Sequence, residues 1–350
     1  MRLTKKISFL TVYLLIPLLF LGPIIGGWAC FLLFFLIFAF VPIIDFWLQD
    51  STNAETSEEN KLIADPYFTL ITMVYVPVQG LVLISAVTVS HTVSLQWYEW
   101  FGFCLSTGLV TGGIGINLAH EFMHKNEKSQ QWMSKILLVM VCYGHFAIEH
   151  VRGHHLRVAT PNDPASAKLG ESVYHFLPRT IIGSFRSAWL LEKNRLKQKN
   201  KPWYSDQNQF WWIIGAPLAI LLLCTLAAGF FGALFFLLQS FMAILTLELV
   251  NYIEHYGLER QKLANGHYER VSVRHSWNAN HWLSNTLLFH LQRHSDHHTS
   301  GSRPYQLLRH IEEGPQLPSG YIGMMFLALF PPCWRAVMDK RVREYRAKST

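Results

Sequence analysis

Six long apolar runs divide the chain. The first pair covers residues 8–25 and 28–47, the second 67–90 and 97–119, and the third 209–228 and 231–252. Each run is close to the ~20 residues with which a helix crosses about 30 Å of hydrocarbon. A helix also satisfies its own backbone hydrogen bonds in lipid. We therefore predict an all-α integral membrane protein with six transmembrane helices.

Short connections separate the two runs of each pair. They comprise Gly22 to Gly27, His91 to Gln96 and Gly229 to Gly232. Because such connections leave room only for tight turns, the pattern predicts three helical hairpins within a single domain, residues 1–350. A further apolar stretch at 131–147 contains Lys135 and is interpreted as an interfacial or re-entrant helix. A seventh span there would move one histidine-rich segment to the other side of the membrane.

Lysine and arginine are confined to alternate loops. Three precede the first run, one lies between the second and third runs, and thirteen fall in each of the segments 120–206 and 251–350. The three short connections have none. Following the positive-inside rule, we expect both termini and the segments 120–208 and 253–350 to be cytoplasmic. These two segments would form a helical cap on the inner membrane.

Composition agrees with a membrane protein and excludes some redox sites. Charged residues make up 15% of the chain, against roughly 25% in soluble domains. The five cysteines are scattered without a C-x-x-C pair, which excludes a zinc ribbon, an iron–sulfur site or a dithiol. The net charge of +7 belongs to the membrane-facing surface and needs no nucleic acid to explain it.

Histidine is the compositional anomaly, with 17 residues. Nine of them fall into four clusters close to the predicted inner membrane surface. These are His120-Glu-Phe-Met-His124, His150-Val-Arg-Gly-His154-His155, His255 in Asn251-Tyr-Ile-Glu-His255, and His294-Ser-Asp-His297-His298. The other eight are isolated and are interpreted as structural.

The spacing of the clustered histidines favours metal binding. His294, His297 and His298 share one helical face, so all three can point at one spot. Imidazole suits iron, copper, zinc or nickel. One catalytic zinc takes about three protein ligands, whereas nine histidines divide well over two ions of five or six coordination. We therefore predict a two-metal site held by all nine.

The residues alone leave other functions open. His120-Glu-Phe-Met-His124 matches the H-E-x-x-H signature of zinc proteases, in which Glu121 would be the general base. A metal transporter would instead need histidines along a path across the bilayer. The clusters fall on one face, which disfavours transport.

Polar residues near the clusters are candidate partners of the bound imidazoles. A metal-ligating histidine usually donates its second ring N–H to a carboxylate or carbonyl, and polar groups at membrane depth are usually functional. The candidates are Glu121, Glu149, Asp163, Glu248, Asn251, Glu254 and Asp296.

Beyond the histidine spacing, several stretches resemble one enzyme family. Ala159-Thr-Pro-Asn-Asp-Pro-Ala165, Asn251-Tyr-Ile-Glu-His255-Tyr-Gly257 and Leu291-Gln-Arg-His294-Ser-Asp-His297-His298 resemble the integral-membrane alkane 1-monooxygenases. That family lies within the membrane desaturase and hydroxylase superfamily. Phe122-Met123 replaces the family's usual Leu-Gly, and the loop after Asp45 lacks its usual Gly-Glu-Asp; neither change removes a histidine.

The resemblance implies a function. It implies terminal hydroxylation of medium- to long-chain n-alkanes with O2 at a non-haem di-iron centre. Electrons would come from rubredoxin and its NAD(P)H-linked reductase, and Arg157, Arg293, Arg303 and Arg309 are candidate docking residues. Ile37 is expected to line the substrate channel. A fatty-acyl desaturase or a xylene-type hydroxylase is the chemically close alternative.

Overall fold

The computed structural model describes residues 3–48 and 52–349, which are helical apart from loops and two isolated bridge pairs. In chain order the helices are α1 (Lys6–Ile25), α2 (Gly27–Trp47), α3 (Glu59–Ala64), α4 (Pro66–Thr92), α5 (Trp97–Met123), α6 (Lys128–Val139), α7 (146–157), α8 (Val173–Gln198), α9 (Phe210–His255), α10 (Trp282–Leu287), α11 (His294–Thr299), α12 (Tyr321–Ala328) and α13 (Pro331–Ser349). The all-α prediction is therefore confirmed.

Five of these helices, α1, α2, α4, α5 and α9, are long and apolar enough to cross a membrane. In α1, α2, α4 and α9 apolar side chains face outward along much of the helix, as at Leu81 and Leu226, which are 64% and 75% exposed, whereas α5 is mostly buried. Lipid is the environment that such surfaces fit. By contrast, α6 has 12 residues and rises only about 18 Å, too little to cross the hydrocarbon.

Helix α9 is 46 residues long and is interrupted near its middle. Ala228 and Gly229 leave the helical region, and Gly229 has a φ of 63°. A Cβ atom at Gly232 would lie 2.5 Å from the carbonyl oxygen of Cys224, eight residues earlier. In a continuous helix eight residues are about 12 Å apart, so the two halves pack against each other beside the break.

Glycines allow α5 to approach the second half of α9 closely. A Cβ atom at Gly108 would lie 2.5 Å from Cβ of Met242, and one at Gly112 would lie 2.7 Å from Cα of Ala243. Small residues commonly allow such contacts between membrane helices. Because the two contacts advance together along both helices, the helices are parallel here. Their carboxyl ends, which carry His120 and His255, therefore lie side by side.

The chain after α9 covers these two ends. The side-chain amide of Asn117 on α5 donates to the carbonyl of Leu288 at 2.7 Å, and the backbone N–H of Trp277 donates to the carbonyl of Glu254 at 2.8 Å. The carboxylate of Asp45, at the end of α2, accepts from the N–H of Ser284 at 3.1 Å. These bonds place α11 and its histidines over the ends of α5 and α9.

Candidate metal centre

The nine clustered histidines lie together in two groups. The five-histidine group contains His120, His124, His150, His155 and His297, and the four-histidine group contains His154, His255, His294 and His298. Within each group, one possible ligand atom per residue lies within 4.8 Å of every other. Four segments that are distant in sequence thus converge at one end of the helix bundle.

The second cluster divides between the groups because of its backbone. Residues His150–His154 form a turn of π-helix within α7, and a π-helix brings residues i and i+5 onto one face. His150 and His155 accordingly lie together, with their Nε2 atoms 3.0 Å apart. His154 points to the four-histidine group, where its Nε2 is 3.3 Å from Nε2 of His298.

The fourth cluster also divides, so the expectation that its three imidazoles point at one spot is wrong. His294 and His298 lie one α-helical turn apart on α11, and their Nε2 atoms are 2.9 Å apart. His297 lies off that line, and its Nε2 is 3.2 Å from Nε2 of His155. One turn of helix therefore contributes to both groups, since α11 passes between them.

The distances suit ligands of a shared ion. Nitrogens bound at about 2.0–2.1 Å and separated by 90–110° lie about 2.8–3.4 Å apart. Nε2 of His120, of His124 and of His255 are buried and have no hydrogen-bond partner within the part of the chain that the structure describes. A buried polar atom without a partner is costly, and a metal ion would satisfy these atoms. The donor set therefore fits one metal ion in each group.

Burial keeps the imidazoles in the form that binds metal. It lowers the pKa of His150, His155 and His297 well below the usual value, and neighbouring imidazoles lower it further. The pKa values of His294 and His298 are lowered for the same reasons. A metal ligand must be neutral imidazole, so these side chains need lose no proton at neutral pH.

Two of the seven proposed partner residues contact the histidine groups. Oδ2 of Asp163 lies 2.9 Å from Nδ1 of His154, on the ring edge away from the group. Burial acts to raise the pKa of Asp163, but His154 and Ser166 outweigh it and lower the pKa. Glu254 contacts His294 differently, since its Oε2 lies 3.2 Å from Nε2.

The other five proposed partners contact different residues. Glu121 pairs with Lys125 at 2.6 Å, Glu149 with Arg157 at 2.5 Å, and Asp296 with Arg309 at 2.9 Å. Glu248 accepts hydrogen bonds from Tyr143, Thr180 and Asn251. Among the described contacts, these residues support the surrounding chain and not the imidazoles themselves. Because its carboxylate is held by Lys125, Glu121 is also poorly placed as the general base of a zinc protease.

One partner was missed by sequence reasoning. Nδ1 of His255 lies 3.1 Å from the backbone carbonyl of His275, a residue interpreted as structural. The carbonyl of any residue type could fill this place, so no sequence signal points to it.

An apolar cavity ends at the histidines. Its walls include Ile37 and Phe38 of α2, Leu109 and Ile114 of α5, and Val250 of α9. His120 and His150 of one group, and His294 of the other, lie at its polar end together with Asn251 and Glu254. A mostly apolar pocket with a few convergent polar groups is typical of a small-molecule site.

A second pocket approaches the five-histidine group from a polar side. Its lining includes His124, Glu121, Lys125 and Gln130. His124 and His155 are partly exposed, whereas all four members of the four-histidine group are buried. The two groups therefore differ in their access to water.

The candidate docking arginines are not equally available. The side chains of Arg157, Arg303 and Arg309 are 31%, 20% and 44% exposed. Arg293 is 1% exposed, and its guanidinium donates to the carbonyls of Leu308 and Thr52. The expectation that Arg293 forms part of a docking surface is wrong, because this side chain holds loops together in the interior.

Comparisons with known proteins agree with this site. The fatty acid desaturase family matches residues 95–328. Alkane 1-monooxygenase 2 of Pseudomonas aeruginosa is 46% identical over 314 residues, which cover 89% of this chain and 83% of that protein. Alkane 1-monooxygenase 2 of Alcanivorax borkumensis is 40% identical over 354 residues, covering 97% and 92%.

A more distant relative helps to place the chain. The xylene/toluene monooxygenase hydroxylase component XylM of Pseudomonas putida is 27% identical over 239 residues, which cover 68% of this chain and 63% of that protein. The sequence identity to the alkane 1-monooxygenases is thus much higher than that to XylM, and it extends over more of the chain. The chain belongs to the alkane 1-monooxygenase family, within the fatty acid desaturase superfamily of membrane proteins.

Proposed function

We propose that this protein hydroxylates the terminal methyl group of medium- to long-chain n-alkanes, using O2 and two electrons from rubredoxin. The observation that carries the proposal is the apolar cavity that ends at histidines of both groups. In this reaction one oxygen atom enters the 1-alkanol and the other leaves as water, with uptake of two protons. The names of the relatives support an alkane substrate.

Two iron ions are proposed as the cofactor, one in each histidine group. Iron would supply the oxidising power that a methyl C–H bond requires, since no acid–base group of the protein can attack such a bond. The nine neutral imidazoles would hold the ions, and Asp163 and the His275 carbonyl would fix the rings of His154 and His255. Such orientation by outer hydrogen bonds is usual in metal sites.

The cavity would bind and orient the alkane. Leu109, Ile114 and Val250 line it, so an alkyl chain is held by apolar contact and water is excluded from the reacting carbon. Ile37 of α2 also lines the cavity and would limit how far the chain extends. Orientation of this kind can lower a reaction barrier by several kcal/mol.

For the membrane topology we propose six spans in three hairpins. The break at Ala228 and Gly229, and the close contact of Gly232 with Cys224, support a chain reversal within α9. Both termini and the segments 120–208 and 253–350 would face the cytoplasm at the inner membrane, forming a helical cap in one domain, residues 1–350. The confinement of Lys and Arg to these parts supports that orientation.

Electron transfer would require a separate protein. The five cysteines of this chain are free and scattered, so rubredoxin, supplied by its NAD(P)H-dependent reductase, is the proposed donor. A surface pocket lined by Arg157, Arg179 and Arg186 also contains Asp163, the hydrogen-bond partner of His154. An acidic donor in this pocket would lie close to the four-histidine group.

A reconstituted assay tests the function. Purified protein is combined with rubredoxin, its reductase, NADH and n-alkanes from octane to hexadecane. The expected product is the 1-alkanol, formed in proportion to bound iron. Activity in a sample without iron, or formation of alkenes, would contradict the proposal. The matched sample is protein prepared with zinc in place of iron, which should hold metal without activity.

A further inference from the structure

The two histidine groups offer unequal numbers of donors, five and four. Each would hold the same kind of ion in the proposed function, on which this inference rests. The four-histidine group is the more buried one, so a water ligand is less available to make up the difference. A further donor from the protein would remove the inequality.

Glu254 lies where such a donor is needed. Its Oε2 is 3.2 Å from Nε2 of His294, and both side chains are 2% exposed. The same nitrogen is 2.9 Å from Nε2 of His298. Both distances fall within the roughly 2.8–3.4 Å expected between neighbouring ligands of one ion. The carboxylate therefore lies beside the ligand nitrogen of His294, at the edge of the group.

Asp163 contacts an imidazole of the same group from its outer side. Its carboxylate meets His154 at Nδ1, while Nε2 of that ring faces His298. Glu254 meets His294 at Nε2, the nitrogen that faces the group. The two carboxylates thus occupy opposite sides of the imidazoles.

The environment of Glu254 also calls for a cation. Its Oε1 is buried, and among the described residues only the Tyr321 hydroxyl lies beside this carboxylate as a further donor. A buried charge that is not paired is expensive. The nearby Tyr321 hydroxyl donates to the carbonyl of Trp277 at 2.8 Å. An ion in the four-histidine group would supply the missing positive charge.

We propose that Glu254 is a fifth protein ligand of the ion held by His154, His255, His294 and His298. Each ion then has five protein donors, but only the ion of the four-histidine group has a carboxylate ligand. Glu254 also lines the apolar cavity, as do His120 and His150 of the other group, so both ions would border the substrate. The added negative charge should make this ion easier to oxidise than the ion of the five-histidine group.

The test compares iron-loaded, isotope-enriched wild type with Glu254→Ala by Mössbauer spectroscopy and by release of iron to a chelator. The wild type should show two distinct irons. In Glu254→Ala one Mössbauer signal should change and the other should not. One equivalent of iron should also pass to the chelator at least about tenfold faster than the same equivalent in the wild type. Glu254→Gln keeps the side-chain size and a neutral oxygen, so it should change the same signal to a smaller extent.

Glu248→Gln is the matched control. Glu248 is buried on the same helix but contacts Tyr143, Thr180 and Asn251, so both iron signals should be retained. The inference is overturned if Glu254→Ala leaves both signals unchanged or alters them equally while the wild type holds two irons and forms 1-alkanol. A wild type that holds no iron overturns the proposed function and this inference with it.

Discussion

The two histidine groups are built from the same residue type but differ in their surroundings. The four-histidine group is fully buried, and two of its rings are fixed by Asp163 and the carbonyl of His275. The five-histidine group includes two partly exposed members, and a polar pocket reaches His124. The group with fewer histidines is thus the one whose rings are held by more contacts with the surrounding protein.

Removal of a histidine should produce the largest difference in metal affinity between the two groups. His298→Ala should weaken binding of one ion by more than about 100-fold, because even loss of an outer partner costs about 10–100-fold. His124→Ala leaves four histidines in its group and should cost less. Metal titration of the two variants measures this. Equal losses would contradict the comparison.

Loss of a fixing carboxylate should have the next largest effect. Asp163→Asn removes the negative partner of His154 and should weaken one ion by about 10–100-fold, leaving the other unchanged. Asp296→Asn is the control, because Asp296 lies in a histidine cluster but pairs with Arg309 and Arg303. A similar loss of metal in both variants would show that Asp163 has no special role.

Chelation should release the two ions at different rates. The ion of the five-histidine group should leave first, since His124 lines the polar pocket. A barrier lower by only about 1.4 kcal/mol separates the two phases tenfold. Stopped-flow measurement with a coloured chelator resolves them, and Gln130→Trp, which narrows the pocket, should slow the fast phase alone. A single phase of metal release would show that the two groups do not differ in access to the chelator.

Alteration of the cavity should leave both groups intact and change only the substrate range. Ile37→Trp shortens the cavity, and each methylene excluded from it loses about 0.8 kcal/mol, about fourfold in kcat/KM. The longest alkanes should be affected first, at unchanged metal content. Ile43→Trp is the control, because Ile43 is 58% exposed on the same helix. An unchanged length profile in Ile37→Trp would exclude Ile37 from the channel.

The all-α membrane class and the set of clustered histidines could be predicted from the sequence. Both follow from local patterns: the length of an apolar run against the thickness of a bilayer, and spacings of three to five residues along a helix. Asp163 could also be proposed in this way, because an acidic residue close to a histidine cluster is a common partner.

The division of the histidines into two groups depends on how the helices pack. His154 and His297 join groups different from those of their sequence neighbours, since the π turn at His150–His154 and the path of α11 set their directions. The carbonyl of His275, the inward position of Glu254 and the burial of Arg293 depend likewise on contacts between distant segments. Local spacing cannot specify these, because they arise from the relative rotation of packed helices.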